Sequence, residues 1–177
     1  MALGDKQMAL KPQDLLIALK IAVNRGREYT LVELGAELHV AVSVVHGAIK
    51  RCEQARIISR SAGSIRVIRS SLKEFAVHGA KYAFPAALGS LSKGVPTAIA
   101  GPVLRGRFEQ SAALPPVWPD PIGTGYGPSV TPLSPAAVRA CSDDEKLMDV
   151  LTLFDALRVG TAREQEIAVK ELEERLA

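Results

Sequence analysis

The 177-residue chain has little of several things that would commit it to a particular chemistry. Its two cysteines, Cys52 and Cys141, lie far apart and lack metal-ligand spacing, so neither a disulfide framework nor a zinc site is expected. They read as free thiols of a reducing compartment. The three histidines, His39, His46 and His78, have no paired carboxylates or thiols nearby in sequence, and no Ser/His/Asp or Cys/His nucleophilic arrangement is evident. No metal, cofactor or catalytic residue is expected, and the chain does not read as an enzyme. No apolar run approaches the roughly 20 residues that span a bilayer. The start, MALGDKQMALKPQ, has no apolar stretch behind a basic end, so a cytoplasmic protein is expected.

What is present is ordinary in amount and uneven in placement. At 47% hydrophobic and 23% charged residues, the chain has the composition of a soluble protein with one or two modest cores. The net charge of +3 conceals an asymmetry. From Val40 to Lys73 there are seven Lys/Arg against the single acid Glu53, whereas from Ala136 onward six basic residues face ten acidic ones. A basic module joined to an acidic tail fits polyanion binding at one end and another task at the other.

The basic module centres on Thr30 to Ile58, TLVELGAELHVAVSVVHGAIKRCEQARII, which reads as two helices joined by a tight turn. Thr30 and Glu33 have the spacing of a capping box, so the first helix starts there. Its apolar positions Leu31, Leu34 and Leu38 mark a buried face, and His39-Val40 form the turn. In the second helix Val45, Ala48, Ile49 and Cys52 fall on one side and Ser43, His46, Gly47 and Lys50 on the other. Short side chains at Ser43 and Gly47 would let this helix approach a groove closely while Ser43, His46 and Lys50 reach base edges or phosphates.

The run from Leu38 to Ile58 resembles the recognition-helix segment of bacterial winged-helix regulators of the MarR-like kind. It keeps Leu38, Val40, Ser43, Val45, Ala48, Lys50, Arg51, Glu53, Ala55 and Ile58 of that pattern. It departs at Ala41 and His46, where Ser is usual, and at Gly47, where Arg is common. The resemblance covers roughly residues 10 to 70. It implies a winged helix-turn-helix with the recognition helix, Val42 to Arg51, in the major groove, and a dimerisation role for the helix after the wing.

The flanking segments read as follows. Leu10 to Arg25 is an amphipathic helix opened by Pro12, with Leu15, Leu16, Leu19, Ala22 and Val23 as its stripe. Ile57 to Ile68 forms two short strands around Ala62-Gly63, a wing on which Arg60 and Arg66 lie on either side of the turn and can straddle a backbone. Ser71-Leu-Lys-Glu74 has capping-box spacing and predicts a helix start. Between Pro85 and Pro135 lie ten of the 11 prolines, which exclude continuous helix. An irregular ordered wrap with one or two short strands is expected there, with a disordered linker as the alternative. Gly123-Thr-Gly-Tyr-Gly127 reads as a turn or loop, not a phosphate loop, because prolines follow instead of a helix. Ser134-Pro135 starts a helix, Asp143-Asp144-Glu145 starts a second, and Thr161-x-x-Glu164 caps a last one.

The expected architecture is therefore mainly α with a small β wing. A winged helix-turn-helix occupies 10–84, a Pro/Gly-rich irregular segment 85–133, and a C-terminal helical hairpin 134–177. The expected function is binding of double-stranded DNA as a homodimeric transcriptional regulator. Ser43, His46 and Lys50 would lie nearest the bases, with Val42 and Gly47 on the same DNA-binding helix, Arg51 on the backbone, and Arg60 and Arg66 of the wing on the backbone or minor groove. The alternative is a DNA-tethering or antitoxin-like subunit whose acidic C-terminal region binds a partner protein.

Overall fold

In a computed structural model of the chain, which describes residues 8–108 and 114–177, the elements are arranged around helix α1, Pro12–Val23. Every residue of α1 from Asp14 to Val23 is buried. The sequence shows a broad stripe; the structure encloses the helix from Asp14 onward, because α3 (Val42–Gln54) packs on one side and α7 (Glu145–Val159) and α8 (Ala162–Leu176) on others. Asp14 accepts the Lys11 N–H at 2.8 Å and so satisfies one free donor at the helix start. The reading of the chain's first residues lies largely outside the described residues.

Helix α2, Leu31–Glu37, begins as its capping box predicts: the Thr30 N–H donates to Glu33 at 2.8 Å and the Glu33 N–H to the Thr30 hydroxyl at 3.2 Å. After α3, strands β1 (Ile58–Ser61) and β2 (Ser64–Val67) pair antiparallel, Ile58 opposite Val67 and Ser61 opposite Ser64. Ala62 and Gly63 both have positive φ, 49° and 84°, the signature of a type I′ turn. Helix α4, Arg69–Glu74, continues through a π turn at Phe75–Gly79 into α5, Ala80–Ala83. The predicted Ser71 cap does not form; the helix begins two residues earlier, at Arg69, which places Ser71 inside its first turn.

The Pro/Gly-rich segment is more regular than its composition suggests. Strands β3 (Leu88–Pro96), β4 (Val117–Pro119) and β5 (Gly125–Val130) close on one another: β3 pairs antiparallel with both others, and β4 meets β5 in parallel at Val117 and Ser129. The expected ordered wrap with one or two short strands has three, and Gly125 to Gly127, read as a turn or loop, lies within β5. The physical reason is the close approach of backbones. A Cβ on Gly94 would stand 1.9 Å from the Trp118 carbonyl oxygen, and one on Gly127 1.9 Å from that of Pro115. Prolines rule out continuous helix here, and the glycines permit a very tight sheet. Val117 and Trp118 are buried, as their apolar character predicts.

Short helix α6, Ala137–Ala140, follows the Ser134-Pro135 turn, and Asp144 caps α7 by accepting the Leu147 N–H at 2.9 Å. The predicted stripe of α7, Leu147, Val150, Leu151, Phe154 and Leu157, is buried, and so are Ala168, Leu172 and Leu176 of α8. One continuous core joins all of these to α1 and α3, so the three sequence segments share their interior. Among the described residues no single helix is long and apolar enough to cross a membrane.

Asp155 of α7 ties the β unit to this core. Only 1% exposed, its carboxylate accepts the Thr97 hydroxyl at 2.7 Å, the Trp118 indole N–H, and two N–H groups of Arg158. Arg158 in turn donates to the carbonyls of Thr131, at 2.8 Å, and Phe84. Burial pushes the Asp155 carboxyl above the ordinary range, against the opposing pull of Arg158, Thr97 and Trp118.

Asp155→Asn leaves Arg158 buried without its counter-charge and is expected to destabilise the fold by about 3–5 kcal/mol in urea unfolding. Ala62→Gly relieves the left-handed conformation of an L-residue and should raise stability by up to about 1 kcal/mol in the same assay.

Candidate nucleic-acid interface

Helices α2 and α3 meet at 112° across the turn Leu38 to Ala41. Close contact makes the turn: the Val40 N–H donates to the Gly35 carbonyl at 2.9 Å, and a Cβ at Gly35 would stand 2.9 Å from the Val40 oxygen. His39 takes φ of 53° to reverse the chain. Val45, Ala48, Ile49 and Cys52 of α3 are buried, as predicted, and lock the helix to the core. Burial pushes the Cys52 thiol up to about 12, and that of Cys141 likewise, so both are unreactive thiols.

The opposite side of α3 is open. Val42, Ser43, His46 and Lys50 are exposed and Gly47 is half-buried, so these five predicted residues come together on one outward surface. Arg51 does not join them. Its guanidinium turns back onto α1 and clasps the fully buried Asp14 through two hydrogen bonds of 2.7 Å. The hydrogen bonds it donates to Asp14 hold the Arg51 pKa above its ordinary value. Gly47 makes room for it: a Cβ there would stand 3.3 Å from the Arg51 Nη1. The sequence reading placed Arg51 on a phosphate backbone and took Gly47 as an opening to a groove; the structure gives both a part in holding α3 against α1.

The two hairpin arginines also differ. Arg60 lies opposite Ile65, on the face turned to the core, and its Nε sits 3.4 Å from Glu53 of α3. Arg66 lies opposite Ser59 on the other face, exposed, with its Nε 3.4 Å from the Ser64 hydroxyl. They do not present a common face. An open groove of about 570 Å³ runs beside Arg66, between the hairpin turn and Glu28, Tyr29 and Thr30.

Behind this surface lies a charge cluster that the sequence reading missed. Lys20 of α1, 4% exposed, reaches Asp144 at 2.6 Å and Glu37, the last residue of α2, at 2.8 Å. Asn24 donates to the same Asp144 oxygen at 2.9 Å, and Arg27 pairs with Glu37 and lies over the Tyr29 ring at 4.4 Å. Burial opposes the charge on Asp144, but hydrogen bonds from Lys20, the Leu147 N–H and Asn24 outweigh it and hold the carboxyl below the ordinary range. Glu37 is lowered in the same way by Lys20 and Arg27, and Lys20 is raised by Asp144 and Glu37 against its own burial. The sequence reading took Asp144 only as a charge at a helix start; a partner 124 residues away leaves no local signal.

The signs follow from those directions. The lowered carboxyls stabilise the fold above their unfolded values near about 4, and that contribution is lost as pH falls through the folded ones. The raised Lys20 contributes below about 10.4 and is lost as pH rises through its folded value. Asp144→Asn is therefore expected to lower stability at neutral pH by about 3 kcal/mol and to make its decline in acid shallower than in the parent, read as urea midpoint against pH. Among the described residues no three His, Cys, Asp or Glu side chains gather as a metal site would require. In comparisons with known proteins no family model, no curated protein and no solved structure matches this chain.

Proposed function

We propose that this chain is a sequence-specific regulator that binds double-stranded DNA through a winged helix-turn-helix of MarR-like kind and acts as a homodimer. The observation that carries the reading is the outward surface of α3, where Ser43, His46 and Lys50 stand exposed and unobstructed on a helix anchored by its opposite face. Three further features support it. The 112° crossing of α2 and α3 is the geometry with which such pairs place a second helix in the major groove. The order α1, α2, α3 and a two-stranded hairpin is that of a helix-turn-helix followed by a wing. Basic residues dominate from Val40 to Lys73.

In this reading Lys50 and His46 address base edges, and Ser43 addresses a base or a phosphate. Arg66 is the wing residue on the DNA backbone, while Arg51 acts indirectly by fixing α3 through Asp14. One recognition helix covers few bases and neutralises few phosphates, so a two-fold dimer supplies the remainder of the affinity. Leu72, Ala76, Val77 and Ala80 after the hairpin are buried within the chain, as are the apolar stripes of α7 and α8. Those apolar faces are therefore not available to a second copy.

The experiment is selection of bound duplexes from a random pool at two salt concentrations, followed by affinity measurement of variants on the enriched sequence. A two-fold symmetric motif is expected. Lys50→Ala should weaken binding to that motif by about 10-fold and relax preference at one position. Arg66→Ala should weaken binding on all sequences alike and make the salt dependence shallower by about one unit of slope. Equal binding by both variants and the parent would remove the reading.

A further inference from the structure

Of the nine large apolar side chains that the described residues expose, five lie between Leu88 and Tyr126, in and around the β unit. The pairing of β3 with β5 brings some of them together. Leu91 stands opposite Pro128 and Lys93 opposite Tyr126, and positions two apart on paired strands share one face of a sheet. Leu91 and Tyr126 are therefore diagonal neighbours on that face, 54% and 55% exposed. Leu88, at the start of the same strand and opposite Val130, adds a third side chain at 54%. Lys93 is the single charge among these positions, at the far end of the row from Leu88.

We propose that this face of the β unit is where a second copy of the chain docks about a two-fold axis, with Leu88, Leu91 and Tyr126 covered and Lys93 at the rim. This rests on the homodimer reading and gives that dimer its surface. Charge selects the occupant. A two-fold contact sets a patch against its own copy, so a patch of one sign repels itself. Residues 40–73 carry seven basic residues against one acid, residues 136–177 ten acids against six bases, and each stretch would meet its own sign. Residues 85–133 hold three basic residues and two acids, which makes the β unit the part of the chain suited to face itself. Area agrees. At roughly 200 Å² for a fully exposed side chain of this size, Leu88, Leu91 and Tyr126 present about 300 Å². A specific interface of about 1,000 Å² takes about 500 Å² from each copy, roughly 65% of it apolar in homodimers. The three side chains supply most of that apolar share, and half-buried Pro128 beside them adds to it. The apolar stripes of α7 and α8 offer no competing surface, because they are buried within the chain.

The test follows self-association of the full-length protein by sedimentation equilibrium over a wide concentration range. The parent is expected to dimerise, and Leu91→Asp/Tyr126→Asp to weaken association by about 100-fold or more, since two covered side chains become charges that face their own sign. Val32→Asp, which puts the same charge on an exposed apolar position of α2, should associate as the parent does. Leu91 and Tyr126 are exposed in the single copy, so the double variant should keep the parent's circular dichroism. Hydrogen exchange of the parent supplies a measurement without substitution: dilution is expected to speed exchange in 88–93 and 125–128 and to leave α2 and α3 unchanged. An equally tight dimer in the folded double variant, or no concentration-dependent protection in those two segments of a dimeric parent, would overturn this surface while leaving the homodimer reading in place. A parent that stays monomeric would overturn both, and would leave the face to a different protein.

Discussion

Helix α1 is enclosed from Asp14 onward, and a charge in such a place is stable only beside a partner that supplies both counter-charge and hydrogen bonds. It carries two, Asp14 and Lys20. Asp14 takes Arg51 from α3, and Lys20 takes Glu37 from α2 and Asp144 from the start of α7. The three surrounding helices are thereby set in register on a helix that purely apolar packing would leave freer to rotate or slide. The orientation of α2 and α3, on which any function of their outer surface depends, is in this sense decided from the inside.

This internal wiring also divides the basic residues by use. A count of Lys and Arg between Val40 and Lys73 treats them as one electrostatic surface, but Arg51 faces a buried carboxylate and Arg60 lies against Glu53. Arg69 donates to the Ala22 carbonyl at 3.0 Å. Lys50, Arg56 and Arg66 remain exposed, on the helix, on the turn after it and on the hairpin. A proposed DNA contact set is correspondingly smaller than the charge pattern suggests. Arg51 and Arg60 contribute rigidity: through Asp14 and Glu53 they hold the helix whose exposed side chains would do the reading.

The β unit shows a second way of joining distant sequence. Asp155 gathers Thr97, Trp118 and Arg158, and Arg158 continues to Phe84 and Thr131, so one buried ion pair on α7 closes the ends of a segment more than 40 residues long. The pair is costly to desolvate, and the donors around Asp155 offset part of that cost. Much of what looks like an independent C-terminal hairpin is therefore core for the rest of the chain. That is why α7 is buried well beyond the stripe its periodicity marks.

Local information in the sequence determined the helix starts at Thr30 and Thr161, the buried faces of α1, α3, α7 and α8, the hairpin at Ala62-Gly63 and the exposed row Ser43, His46 and Lys50. Capping, apolar periodicity and turn chemistry act over a few residues and can be read directly. The three-stranded closure of residues 88–130 was not legible, because Pro and Gly report which conformations are excluded and not which strands will meet. The partners of Asp14, Lys20 and Asp155 were decided only by the tertiary structure. A buried charge is matched by whatever packing brings to it, and apart from Arg158, which follows Asp155 by one helical turn, those partners lie on other elements, beyond the reach of a local spacing rule.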